Sequence, residues 1–263
     1  MSQNVTIMTF TQWSRGADWR LALPHSEDNH ALIWITKGQA RATLEGVQRG
    51  LGIHNVLAIP AGTLFSFEPG PQCFGLVCSV SPSGPVLMPD RAQLMRILEV
   101  QPQVELTGFL EGMLRESNQG RAFSDEAMNA YAALITVWLR RAMIDHPAPA
   151  RRSAAQRLVM AYTALIERDF HTPKVMADYA AELGVTPTHL TRSCKQCAGM
   201  TAADLLTRCT LHAARDMLET SQDAIRLIAA QLGFRSAAYF SRFILQHTGH
   251  SPSALRKAAR ALI

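Results

Sequence analysis

The chain has 263 residues, 48% hydrophobic and 18% charged, which suits a globular protein with room for two cores and excludes a disordered one. No apolar run approaches the roughly 18–20 residues of a membrane helix, and the start "MSQNVTIMTFTQWSRG" lacks the layout of a secretory signal, so a cytoplasmic location is expected. The net charge of +5 is unevenly held: residues 151–263 carry 15 Lys and Arg against 8 Asp and Glu, and residues 1–150 carry 11 against 13, which points the C-terminal part toward a polyanion such as nucleic acid.

Residues 30–82 form short apolar runs separated by turn signals: "ALIWITKG", "ARATLEG", "NVLAIPAG", "LFSFEPG" and "FGLVCSVSP". Gly and Pro fall at the ends of these runs, where turns need them, so an antiparallel sandwich or small barrel is expected. From Asp90 the period changes, and residues 91–100, 103–118 and 124–145 have helical spacing. In the last of these, Met128, Tyr131, Ile135, Trp138 and Ala142 share one stripe. Its first reading is core and its second a dimer seam. "DHPAPARRS" (145–153) reads as a linker, because its prolines cannot continue a helix. Seven helices are then expected, at roughly 153–170, 175–183, 187–197, 201–218, 225–232, 236–247 and 252–261.

The five cysteines are odd in number in a large chain, so no disulfide framework is expected. Cys194-x-x-Cys197 has no second Cys/His pair at finger-like spacing and reads as core or surface rather than zinc ligands.

The helical half contains a duplication. "AAELGVTPTHLTRSCKQCAG" (180–199) aligns with "AAQLGFRSAAYFSRFILQHTG" (229–249) when one residue is inserted in the second turn. Ala180, Ala181, Leu183 and Gly184 answer to Ala229, Ala230, Leu232 and Gly233. Leu190, Arg192 and Gly199 answer to Phe240, Arg242 and Gly249. Each copy reads as a helix, a tight glycine turn and a second helix, the helix-turn-helix arrangement whose second helix enters the DNA major groove. Leu190, Cys194 and Cys197 or Ala198 form the inner stripe of the first such helix, and Phe240, Phe243 and Ile244 that of the second. Val185 and Phe234 should tuck under the turns. Residues 201–218 would hold the two units apart, with their reading helices in grooves about 34 Å from centre to centre.

At these residues, about 165–258, the sequence resembles the AraC/XylS family of bacterial transcription regulators. Gly233-Phe234, Tyr239-Phe240-Ser241-Arg242, Gly249 and Ser251-Pro252 carry the resemblance. It implies an α+β chain. An N-terminal antiparallel, cupin-like β-barrel domain (1–89) would sense an effector, a helical segment (90–145) would dimerise, and 146–153 would link them to a DNA-binding domain (154–263) with two helix-turn-helix units. The implied function is a transcription regulator, usually an activator, whose partners are double-stranded DNA, a small-molecule effector, RNA polymerase and a second copy of the chain. The alternative is a constitutive DNA-binding protein whose N-terminal half only dimerises, and after it a metal-free cupin that binds or converts a small molecule.

By the same resemblance, Thr188, Thr191 and Arg192 would contact bases, with arginine suited to guanine and threonine to a thymine methyl or base edge. Lys195 would meet phosphate. The second unit offers Ala237, Ala238, Tyr239 and Arg242, with Arg235 at its turn. Leu245 and Leu255 stand where relatives often have Lys and Tyr, so weaker reading and grip are expected there.

Cupin metal sites use His-x-His, a following Glu and a third His. Here Phe65 stands after the Pro60-Ala61-Gly62 turn, His25 and His30 are five apart, and His54 is isolated. No metal, no cofactor and no enzymatic activity are therefore expected. A metal-free pocket would draw on Trp34, Phe65 and Phe67, with Lys37 or Arg41 at its mouth for an anionic effector. Alternation along the strand sends Trp34 and Ile35 to opposite faces, so only one of the two can line it.

Overall fold

A computed structural model describes residues 5–84, 88–147 and 151–260. Strand β1 (Val5–Thr9) leads into two one-turn helices, α1 (Phe10–Trp13) and α2 (Trp19–Ala22). Thr9 caps α1 in a reciprocal box with Gln12. Seven strands follow: β2 (His30–Lys37), β3 (Ala40–Leu44), β4 (Val47–Leu51), β5 (Asn55–Ile59), β6 (Phe65–Pro69), β7 (Phe74–Val80) and β8 (Gln93–Arg96).

They form two antiparallel sheets, ordered β1-β7-β2-β5-β8 and β4-β3-β6. The sheets face each other across a core that includes Phe10, Trp13, Ile33, Ile35, Leu57, Phe65 and Phe67. Among the described residues the ladders do not close into the expected barrel; the strands make an open sandwich with edges at β1, β8, β4 and β6.

Helices α3 (Val100–Gln119) and α4 (Ser124–Asp145) cover the outer face of the five-stranded sheet. Leu32, Trp34, Val56, Ala58 and Cys78 on the strands meet Leu106, Leu110, Ile135, Trp138 and Leu139 there. The Met128–Ala142 stripe is therefore core, its first reading. The helix expected at 91–100 is a correction: β8 occupies 93–96 and pairs with β5 from Asn55↔Arg96 to Ala58↔Gln93. Its neighbours Leu94 and Met95 face different cores, one on each side of the sheet. With apolar Leu94 and Met95 adjacent and turned to opposite faces, the strand shows no apolar–polar alternation, so its spacing passes for helical.

The expected linker 145–153 lies partly outside the described residues; α4 ends at Asp145, and α5 (Ala154–Asp169) starts at a Ser153–Gln156 capping box. Then come α6 (Met176–Glu182), α7 (Pro187–Ala198), α8 (Ala202–Thr220), α9 (Ile225–Gln231), α10 (Ala237–Thr248) and α11 (Pro252–Arg260), each within a few residues of its expected span. Helix α8 joins two separate cores. Its Leu205 and Cys209 pack with α5, α6 and α7, and its Leu211, Ala214 and Leu218 pack with α9, α10 and α11.

Candidate nucleic-acid interface

The two helical units are built alike. Gly184 and Gly233 turn the chain with φ of +66° and +72°, a region open to glycine at little cost. The second helix of each unit starts on a hydroxyl cap. Thr186 accepts from the His189 amide at 3.2 Å, and Ser236 accepts from the Tyr239 amide at 3.2 Å. Both helices end on a left-handed glycine, Gly199 and Gly249. The one-residue insertion is Arg235, which sits in the second turn between Phe234 and the Ser236 cap.

Burial divides each second helix into two faces. On α7, Leu190, Cys194 and Ala198 are buried, Cys197 is half-buried, Thr188, Arg192 and Lys195 are exposed, and Thr191 is half-buried. On α10, Phe240 and Ile244 are buried and Phe243 half-buried, while Ala238, Tyr239 and Arg242 are exposed and Ala237 is half-buried. Val185 and Phe234 pack against the two cores as expected. Leu245 is exposed and Leu255 buried.

The cations of the outer faces are available. Among the described residues Arg192, Lys195, Arg235 and Arg242 form no salt bridge, and Arg192 lies along its helix with Nη2 3.3 Å from His189 Nδ1. Elsewhere in the first unit, cations are spent: Arg168 and Lys174 both hold Asp169 and Glu182, at 2.6–2.8 Å. That pairing raises the pKa of Lys174 and Arg168 and lowers those of Asp169 and Glu182. A surface with unpaired arginine at the same place in two equivalent helices is suited to phosphate oxygens and base edges.

Residues 179–258 match the model of a family described as a helix-turn-helix domain. They are an AraC-type domain. Over 134 residues the chain is 31% identical to the HTH-type transcriptional regulator GlxA of Rhizobium meliloti, covering 48% of this chain and 41% of that protein. Over 148 residues it is 30% identical to the HTH-type transcriptional activator RhaR of Klebsiella pneumoniae, covering 56% and 50%. The chain thus spans half or less of the length of these curated relatives. Among solved structures, ToxT of Vibrio cholerae with unsaturated fatty acid bound covers 97% of this chain and 96% of its own, at 14% identity and a TM-score of 0.44. The C-terminal domain of AraT from Geobacillus stearothermophilus covers 41% and 88%, at 27% identity and a TM-score of 0.37.

Outside the AraC-type domain, the residues expected to line an effector pocket are not brought together. Trp34 faces α3, where its Nε1 donates to Thr107 Oγ1 at 3.1 Å, while Phe65 and Phe67 are buried between the sheets. Ile35, not Trp34, shares that inter-sheet core, so the two do take opposite faces. Lys37 lies over the Phe74 ring at 5.6 Å, and Arg41 is on the exposed face of β3. The histidines are also apart: His30 Nδ1 accepts from the Ala61 amide at 3.0 Å, His54 stacks on Trp34, and His25 is buried against Phe65 and His212. No group of three or more His, Cys, Asp or Glu among the described residues has metal-site geometry.

One constellation had no signal in the sequence. The N-terminal half grips α8 of the AraC-type domain through α2. Arg20 reaches Asp216 at 2.6 Å and Glu219 at 3.1 Å, and its carbonyl lies 3.0 Å from His212 Nε2. Trp19 takes the guanidinium of Arg215 on its ring at 4.0 Å and that of Arg20 at 4.7 Å. Beside them the His25 and His212 rings stack at 4.3 Å. Burial lowers the pKa of His25 to about 4 and that of His212 to about 3. These partners lie nearly two hundred residues apart, beyond any local pattern.

Proposed function

We propose that the protein is a sequence-specific DNA-binding transcription regulator and not an enzyme, acting in the cytoplasm as an activator that responds to a small-molecule effector. The observation that carries this is the recurrence of Arg192 and Arg242 at equivalent, exposed, unpaired positions of two identically capped helices in an AraC-type domain. Residues 154–263 would bind DNA, 1–89 would sense the effector, and 90–145 would support a second copy. RNA polymerase is the further partner of an activator; the curated relative RhaR, itself named an activator, supports that sign.

Thr188, Thr191 and Arg192 read bases in this proposal, and Lys195 and Arg235 hold phosphate. Ala238, Tyr239 and Arg242 present the second, weaker reading face. Arg192→Ala should cost about 1–3 kcal/mol on the bound operator and relax choice at one base position. Lys195→Ala should weaken binding to all sequences and lower the salt slope by about one. Both are read by fluorescence anisotropy over a salt series on operator and scrambled duplexes. Loss from Arg192→Ala of equal size on every sequence would make that residue a phosphate contact.

A second reading, a constitutive DNA-binding protein whose N-terminal half only dimerises, is favoured by one observation. The face of α4 turned away from the sheet carries exposed Leu134, Val137 and Ile144, spaced along one side. Sedimentation of the wild type and of Val137→Glu tests the seam. A dimer that the variant splits, with no metabolite shifting DNA affinity, would favour this reading.

A further inference from the structure

A cavity of about 680 Å³ lies at one end of the five-stranded sheet, between α3, the start of β7 and the α1–α2 segment. Its size suits a small molecule. It borders the inter-sheet core, since its wall residues Phe10 and Leu21 pack with Phe65 and Phe67 there.

The walls are mixed: Phe10, Leu21, Trp34, Leu76 and Leu114 give the apolar part, and Thr9, Ser14, Thr36 and Thr107 bring hydroxyls. Among the described residues no Lys or Arg lines it, and two carboxylates do, Asp18 from one side and Glu111 of α3 from the other. Lys37 stands outside the lining, over the Phe74 ring at the rim. Asp18 occupies the cap position of α2 yet makes no capping hydrogen bond, so its oxygens are not spent on the helix. Thr107 accepts from Trp34 and keeps its own hydroxyl hydrogen for a further partner. His54, which stacks on Trp34 and lines the cavity, holds a left-handed backbone with φ of +63°. Such conformations in residues other than glycine are uncommon and collect at ligand clamps.

We propose that this cavity binds a small organic cation, an apolar ring or chain bearing an amine, and that occupancy reaches the DNA-binding half through Asp18–Arg20. Inside the lining an anion would meet two carboxylates and no lysine or arginine, Lys37 standing only at the rim, whereas an ammonium would be drawn to either carboxylate. Leu21 and Asp18 line the cavity, and the residues between them, Trp19 and Arg20, hold Arg215, Asp216 and Glu219 of α8. A ligand that repositions this short segment bears directly on the helix that joins the two reading units. The effector role rests on the regulator reading above; the binding itself does not.

The test uses the full chain and a matched pair of fragments, phenethylamine and hydrocinnamate, followed by saturation-transfer NMR at millimolar concentration. Phenethylamine should give a signal in the wild type that falls severalfold in Asp18→Asn/Glu111→Gln, and hydrocinnamate should give none. Both substituted residues are exposed, and circular dichroism checks the fold of the variant. A signal of equal strength from hydrocinnamate, an undiminished signal in the variant, or no amine signal in the wild type overturns the site. Saturating amine should also shift operator affinity by about fivefold or more in the wild type but not in the variant. Binding without that shift overturns the relay. Absence of operator binding in untreated protein counts against the regulator reading alone.

Discussion

Gly184 and Gly233 occupy the same turn of the two units, yet their surroundings differ. Around Gly184 a Cβ would meet nothing within 4 Å, so Gly184→Ala carries only the left-handed backbone penalty, about 1–2 kcal/mol. At Gly233 a Cβ would also fall 2.6 Å from the backbone carbon of Thr172, which cannot step aside as a side chain can. Gly233→Ala should therefore destabilise the protein more than Gly184→Ala, and thermal melts of the two variants give the ordering directly. A Gly184→Ala variant that melted lower than its counterpart would contradict this account of the turn. The positive φ was legible from the glycine's place in the repeat. The approach of the 171–172 loop was not, because it joins segments that the repeat does not relate.

Among the elements, those with one buried face and a marked end were readable. Helix α7 has Thr186 before it, Pro187 in its first turn, Gly199 after it and apolar residues at 190, 194 and 198. Strand β8 hides because its adjacent apolar residues, Leu94 and Met95, turn to opposite faces and leave no alternation. Strand β4 was missed because Gln48, Arg49 and Gly50 are exposed on an edge and give no apolar run. The signal that would have found it is Glu45-Gly46, a two-residue hairpin turn with φ of +49° and +75° joining β3 to β4. Helix α2 is only four residues long, and its importance comes from what it touches. Arg20→Ala removes both ion pairs to α8 while Trp19 keeps its stack on Arg215. We expect limited proteolysis near residues 148–153 to quicken in that variant, and Trp19→Ala to quicken it further, since Arg215, whose Nε has no hydrogen-bond partner, would lose the ring that covers it. Unchanged cleavage in both would mean that α2 does not hold the halves together.

At the scale of the whole molecule, the junction between the halves carries a pH dependence with a defined sign. His25 and His212 are stacked and buried as neutral rings, with Glu27 Oε1 3.9 Å from His25 and with Arg20, Arg215 and Asp216 close by. Their pKa values when docked lie below the ordinary 6.5, so docking is fully favoured above pH 6.5 and weakens as pH falls from there toward 4. At about pH 5 the penalty is on the order of 2 kcal/mol per histidine. Melting midpoints should drop across that range in the wild type and drop less in His212→Phe. A variant as acid-sensitive as the parent would assign the effect to other groups.

The N-terminal half touches both units: Leu64 is part of the core around α5 and α7, and Leu23 packs on the core around α10. Gly46 at the β3–β4 hairpin leaves no room for a Cβ, which would lie 2.4 Å from Val159 Cγ1. The two helix-turn-helix units are thus splinted from outside as well as joined by α8. An operator with one extra base pair between its two sub-sites turns the second by about 34–36° around the duplex axis, and a splinted protein has no swivel with which to follow it. Tolerance to such phase shifts, compared between the full chain and a form whose junction has been loosened, measures how far the N-terminal half sets the spacing of any duplex that the two units span.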